Sequence, residues 1–456
     1  MQRQLTRREM LRTMGCAGAG LLAAGRWPAR AAEAGLSDGN GARWFRGNLH
    51  MHTYWSDGRA FPEQAVDLYK RAGYDFIGVS DHNVFADDPA HWKPVEEKEG
   101  KWPPDVTQPL FDAYKAEFGN EVETRQEDGK TLVRLKTHEE MRRRFEEPGK
   151  FLMLPAVEVT QVLNGINVHL NYLNLPDVIP SVKGGALSRQ IKDPALDVAG
   201  LIRQNAAEVA QMAARLARPT VLTLNHPQWV YWDILPQNLI DAPEIRFFEV
   251  CNGGSAFAPH PEAPNLTCDG FWDTVNAFRC LKGQPLLFGL GTDDTHYYLN
   301  RTPSQRLEDA WVRVRAAALT PDALLAAMHA GDFYASTGVA LEDVAFNPAK
   351  RTLRVKVKAA QGVSCRIRFI ATKRGFDQTV RTVESPAEKG RGARTLPVYS
   401  PEIGRTVHVA EGNEASYTMA ADDLYVRAKV ESDTPSGYQR HFHPDVQVAW
   451  TQPYGA

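Results

Sequence analysis

The sequence predicts an α/β protein of parallel strands followed by a separate antiparallel β unit, and three observations predict it. Apolar runs of strand length alternate with stretches of helical periodicity between residues 44 and 340. Nearly every such run leads into His, Asp or Glu, so the reactive side chains gather at one end of the strands, as in barrels of parallel strands. Beyond about Val339 the texture changes to polar and apolar residues in strict alternation, the mark of half-buried antiparallel strands.

In chain order, the first segment stands outside the fold. Arg7-Arg8, an apolar stretch rich in Gly and Ala over residues 14–25, and Ala29-Arg30-Ala31 resemble a twin-arginine export signal spanning residues 1–32. Such a signal implies a periplasmic or secreted protein, and no other segment is apolar for long enough to span a bilayer, so no transmembrane span is expected in the mature chain. Residues 44–49 read as a strand delivering His50 and His52, and residues 61–72, with Pro62 near the start, as a helix. Residues 74–80 form the next strand and deliver Asp81-His82-Asn83. Residues 91–150 then interrupt the pattern with a charged insertion holding Pro103-Pro104 and a helix opened by Thr137 and Glu140 as a capping box. It is expected to form a rim or lid, or a solvated decoration.

Strands over 151–157, 166–168, 220–225 and 286–290 lead to Glu158, His169, His226-Pro227 and Asp293-Asp294-Thr295-His296. A further strand over 245–250 carries Glu249, which is either a pocket residue or a buried, hydrogen-bonded carboxylate. Helices over 201–216, 271–281 and 321–329 complete the alternation. Strands over 352–358, 365–370 and 424–430 then predict a small antiparallel β-sandwich-like domain over residues 341–456, expected to cap the first unit.

The residue types point to a metal hydrolase. Two imidazoles one residue apart at a strand end can lean onto one cation, while Asp57, in Ser56-Asp57-Gly58, can reach a neighbouring one. Singly, each has an ordinary reading: Asp57 as a turn former, Asp81 as a cap, a strand His as a core residue. Their joint recurrence at strand ends is what marks a site. Mixed imidazole and carboxylate ligands suit Zn, Mn or Fe, and adjacent cations can activate a bridging hydroxide while neutralising a phosphoryl group. No Ser or Cys nucleophile is then required, and the sequence has neither a Gly-x-Ser-x-Gly elbow nor a phosphate-cradling glycine loop. Arg301, shortly after His296, is the candidate for gripping a phosphate, with an ordinary solvated Arg as the alternative.

The ordered set His50-x-His52, Ser56-Asp57-Gly58, Asp81-His82-Asn83, Glu158, His169, His226-Pro227 and Asp294-x-His296 resembles the PHP (polymerase and histidinol phosphatase) superfamily, and residues 331–338 look like the end of such a domain. The resemblance implies a distorted seven-stranded β/α barrel over residues 40–340 that hydrolyses phosphoesters with two or three divalent metal ions. It implies that His50, His52, Glu158 and Asp294 hold one cation, that Glu158 bridges to a second held by His169 and His226, and that Asp57, His82 and His296 take a third. Many members have His where this chain has Asp57, which weakens the third site or favours a harder cation. Asp293 is a supporting carboxylate or a turn residue. The catalytic candidates are His226, Asp57 and Arg301, and the expected substrate is a small phosphorylated molecule: a nucleotide, sugar phosphate or phosphodiester. Two alternatives stay open. An amidohydrolase acting at carbon also opens with His-x-His, although such barrels usually bridge metals with Lys where this chain has Glu158. A non-catalytic metal-bearing binding module is the other, and the filling of nearly every ligand position weighs against it.

Composition narrows the field. With 456 residues, 43% hydrophobic and 24% charged, the chain is an ordinary globular protein with room for two domains and a signal. Its net charge of -2 gives no electrostatic footprint for a long nucleic acid. Cys16 lies in the signal, and Cys251, Cys268, Cys280 and Cys365 lack the close pairs of a zinc ribbon, so they are expected as thiols. Nothing in the sequence sets the oligomeric state.

Overall fold

The computed structural model describes residues 41–455 apart from 99, 101, 185–186, 255–262, 264–265, 299–306, 387–392 and 438–444. The export signal and Arg301 therefore lie outside the described residues. The strands Arg43–Asn48 and Phe76–Val79 pair in parallel, joined by the helix Pro62–Arg71. That helix starts on Pro62, carries Glu63 in its first turn and Lys70 and Arg71 in its last, and so opposes its own dipole at both ends.

Phe76–Val79 pairs in parallel with Leu152–Leu163, and here the all-parallel expectation fails. Leu152–Leu163 runs straight past Glu158, turns at Asn164-Gly165 and returns antiparallel as Ile166–Leu173. Both turn residues have positive φ, 49° and 88°, the two-residue hairpin geometry that Asn-Gly favours. Glu158 and His169 are thus mid-strand residues opposite Asn171 and Thr160, not strand ends.

The sheet runs from Phe288–Thr292 at one edge through Phe247–Asn252, Leu222–Leu224, Ile166–Leu173, Leu152–Leu163, Phe76–Val79, Arg43–Asn48, Trp311–Ala316 and Phe333–Ser336. It mixes parallel and antiparallel neighbours, and among the described residues its ladder does not close, so the expected seven-stranded barrel is corrected to an open mixed sheet. The physical reason is a competing partner. Phe333–Ser336 pairs with Val446–Thr451, which carries the sheet into the C-terminal region to a total of 15 strands. Two single parallel bridges nevertheless draw the reactive segments together: Met51 to Thr295, and His82 to Glu158.

Helices Val198–Leu216, Cys268–Leu281 and Pro321–Ala330 are N-capped by Asp197, Thr267 and Thr320. Their apolar faces join the core; Leu201, Ile202 and Val209 cluster with Leu170, Leu224 and Phe248. No described helix is long and apolar enough to cross a membrane. No disulfide links Cys251, Cys268, Cys280 and Cys365.

The insertion builds its own four-stranded sheet beside the helices Gln108–Phe118 and His138–Phe145. Thr137 caps the second helix: its hydroxyl accepts from the Glu140 N–H at 3.3 Å, and the Glu140 carboxylate accepts from the Thr137 N–H at 2.8 Å. The next residue, His138, is buried without a partner for Nε2 among the described residues, and burial, aided by Arg142, pushes its pKa down to about 3. The unfolded chain therefore binds a proton here, at its ordinary value near 6.5, that the folded chain refuses. Stability is expected to fall as pH drops from about 6.5 towards 3, by on the order of 4 kcal/mol from this group. Urea unfolding of wild type and His138→Leu at pH 7 and pH 4.5 checks this, the variant losing less on acidification; equal losses would remove His138 from the account.

The C-terminal region stacks two β layers. The sheet of Leu341–Asn347, Thr352–Val357 and Glu414–Thr418 packs Leu353 and Val355 against Ile367, Phe369 and Val426 of the large sheet. Arg427, on the strand Asp423–Pro435, ties this layer to the helix Cys268–Leu281 through Asp273 and Asp269.

Candidate metal centre

His50 and His52 lie just beyond the strand Arg43–Asn48, and period-two alternation turns both rings the same way. The backbone pins them: the Asp294 N–H donates to the His50 carbonyl at 2.9 Å, and the His52 N–H donates to the Thr295 carbonyl at 3.0 Å. Three non-glycine residues of the site hold positive φ, namely Asn83 at 51°, His226 at 21° and Asp294 at 50°. Backbone strain of this kind persists only where surrounding structure enforces it, and it collects at functional sites.

Around the centre, His50 Nε2 lies 3.1 Å from His52 Nε2, 3.3 Å from Glu158 Oε2 and 3.3 Å from Asp294 Oδ1. His52 Nε2 lies 3.3 Å from Glu158 Oε2 and 3.2 Å from Asp294 Oδ1. Ligand atoms about 2.0–2.1 Å from a tetrahedral cation stand roughly 3.3 Å apart, so the spacings of His50 and His52 to each other, to Glu158 and to Asp294 are those of atoms sharing a cation, although Glu158 and Asp294 do not fall in one group. The other Glu158 oxygen, Oε1, faces His169 Nδ1 at 3.0 Å and His226 Nε2 at 3.6 Å. Asp57 Oδ1 faces His296 Nε2 at 3.2 Å and His82 Nε2 at 3.4 Å, and among the described residues it is buried with no geometrically well-formed hydrogen bond. A buried carboxylate oxygen placed between two imidazoles has the donor set of a cation site.

All nine expected ligands, His50, His52, Asp57, His82, Glu158, His169, His226, Asp294 and His296, are buried and meet in one cluster. The distances also allow a sharing the sequence did not predict: His82 groups with Glu158 and His169, and His226 with His50 and Asp294. Burial opposes charge on His50, but Asp294, Glu249 and Glu158 outweigh it and raise its pKa well above the usual value. Burial likewise opposes ionisation of Glu158, yet His82, His50 and His169 hold it well below the carboxylate range. His52, hemmed in by burial, His296 and His82, is pushed down to about 3 and offers a neutral imidazole.

A layer of polar groups aims these ligands. Glu249 Oε1 accepts from His50 Nδ1 at 2.7 Å and from the Thr292 hydroxyl at 2.6 Å. Its Oε2 accepts from the His226 N–H at 2.8 Å and from Asn252 Nδ2 at 2.7 Å. Glu249 is therefore the orienting carboxylate behind His50, leaving Nε2 free for a cation. Asn225 Nδ2 donates to Glu158 Oε1 at 2.9 Å, and Thr160 Oγ1 lies 2.5 Å from His82 Nδ1. Asp81 is no ligand: it accepts from the Thr53 N–H and hydroxyl, both at 2.8 Å, and so shapes the loop carrying Asp57. Asp293 also stays out of the cluster, accepting from Tyr69 at 2.8 Å and from the Asp309 N–H at 2.7 Å, while burial pushes its pKa up to about 6.

Asn225 and Thr160 were missed by the sequence reading, although a polar side chain inside an apolar run is a usable signal, because burial obliges it to find a partner. Glu249→Gln is expected to weaken cation binding about 10- to 100-fold with the fold intact, the range for losing a ligand's orienting partner. Metal titration of the purified variant checks this, and wild-type affinity would show that His50 needs no such support.

No protein-family model matches the chain, and no curated protein does. Among solved structures it is similar to a two-domain protein containing a predicted PHP-like metal-dependent phosphoesterase from Bacteroides vulgatus, at 15% identity and TM-score 0.38, covering 94% of this chain and 100% of that one. A candidate metal-dependent phosphoesterase from Bifidobacterium adolescentis is 14% identical with TM-score 0.27, over 55% of this chain and 87% of that one. An amidohydrolase from Chromobacterium violaceum, with bound sulfate and no metal, is 12% identical with TM-score 0.28 over the same shares.

Proposed function

We propose that this chain is an exported metal-dependent phosphoesterase acting on a small phosphorylated substrate, with residues 40–340 as the catalytic unit and 341–456 as a β domain that caps it. The observation that carries the reading is Glu158, a carboxylate in the bridging place, with one oxygen among His50, His52 and His82 and the other between His169 and His226. Two or three divalent ions, Zn, Mn or Fe, bound to these residues would supply a nucleophile at neutral pH and neutralise phosphoryl charge.

The chain's own part is preorganisation. Glu249 and Thr160 fix ring orientations, Asn225 holds Glu158, and burial keeps bulk water from competing for the ligands. Trp229, half-buried, packs its ring 4.9 Å from His169 and 5.3 Å from His226, an apolar wall beside the proposed second cation. Arg301 is the proposed grip on the phosphate.

The test is protein purified with its metals and assayed against phosphomonoesters, phosphodiesters, carboxylic esters and amides, alongside His52→Ala and Asp294→Ala and with metal analysis of each. Phosphoester turnover that disappears with the metal in both variants is expected. Variants that keep metal and turnover would refute the site, and cleavage confined to esters or amides would favour the amidohydrolase reading.

A further inference from the structure

We infer that Trp102, carried by the insertion, is a positioning residue for the third cation: its indole N–H holds one oxygen of Asp57 so that the other faces His82 and His296. The inference rests on the proposed metal centre and deepens it. Trp102 Nε1 donates to Asp57 Oδ2 at 2.8 Å, while Oδ1 of the same carboxylate lies 3.2 Å from His296 Nε2 and 3.4 Å from His82 Nε2. The terminal torsion of Asp is broad, so a carboxylate without a fixed donor presents either oxygen, or neither, to a pair of imidazoles. One hydrogen bond on Oδ2 removes that freedom.

Packing does not explain why Trp102 is there. It is 58% exposed, the most exposed large apolar side chain among the described residues, and its donor atom still reaches a buried Asp from a different part of the fold. The type of donor also matters. Lys or Arg at this point would form an ion pair and cancel the charge that Asp57 brings to a cation; an indole N–H orients the carboxylate and leaves its charge in place. The same contact gives the insertion a function, since it supplies the one indole that touches a proposed ligand by hydrogen bond among the described residues.

The experiment uses the full mature chain as wild type, Trp102→Phe, Trp102→Ala and His296→Ala, stripped of metal and titrated with Mn²⁺ while bound ion is counted. Trp102→Phe keeps a ring and loses only the donor; thermal unfolding should match wild type because the side chain is mostly exposed. The expected result is that both Trp102 variants bind the weakest Mn²⁺ about 10-fold less tightly with the tighter sites unchanged, and that His296→Ala loses that ion. If His296→Ala loses one ion while Trp102→Phe binds like wild type, or if Trp102→Phe weakens every site alike, the inference is overturned and the centre stands. If His296→Ala loses nothing, the third site itself is wrong and the inference falls with it.

Discussion

Glu158→Gln is expected to lower phosphoester turnover at least about 1,000-fold, roughly 4 kcal/mol of transition-state stabilisation, and to strip bound metal at the same time. The substitution keeps shape and removes charge, so it isolates what the carboxylate does. In the folded protein Glu158 is fully buried, with His50, His52 and His82 at one oxygen and His169, His226 and Asn225 at the other. An amide presents one acceptor and one NH₂ group, so one set of imidazoles would face a donor instead of a ligand. If Glu158 bridges as proposed, both adjoining cation sites would lose charge together, which is why the effect should exceed that of a ligand serving a single ion. Metal analysis and steady-state assay of the folded variant decide it; turnover within tenfold of wild type would mean that Glu158 bridges nothing.

How much of this centre could be read beforehand follows from where each ligand sits. His50, His52, His82, His226, Asp294 and His296 lie in short strings just after apolar runs, and local pattern is enough to find those. Glu158 and His169 were named but placed at strand ends, because the hairpin joining them went unread. Its signal was present in Asn164-Gly165, a dipeptide that takes positive φ at both residues and so turns a strand back on itself. Barrel closure was a different kind of error. Whether Phe333–Ser336 returns to the first edge or pairs with Val446–Thr451 is a choice between partners distant in sequence, and no local propensity records it. Glu249 shows the middle case: its burial was foreseeable, its four hydrogen bonds were not.

The other large effect is expected outside the proposed ligand set, where Asp273→Ala should destabilise the fold by about 3–5 kcal/mol, the cost of leaving a buried charge without its partner. Asp273 Oδ1 accepts from Arg427 Nε at 2.8 Å and from the Tyr425 hydroxyl at 2.8 Å, and Oδ2 accepts from Arg427 Nη2 at 2.6 Å. Arg427 is fully buried and cannot escape by losing its proton, since a guanidinium stays protonated in proteins even without Asp273 beside it. In the variant only Asp269 remains, 30% exposed, bonded to a single guanidinium nitrogen at 2.9 Å and shared with Lys429, against a guanidinium that the Trp272 ring covers at 4.6 Å. A surface pair such as Arg366 with Glu411, with side chains 55% and 66% exposed, should by contrast change stability little when broken, because solvent screens both charges. Denaturant unfolding of Asp273→Ala, Glu411→Ala and the double variant Asp273→Ala, Arg427→Met separates charge from packing. The double variant should recover most of the loss, because removing the stranded guanidinium removes the penalty. If it is as unstable as Asp273→Ala alone, the helix Cys268–Leu281 and the C-terminal layer are held together by shape rather than by this ion pair.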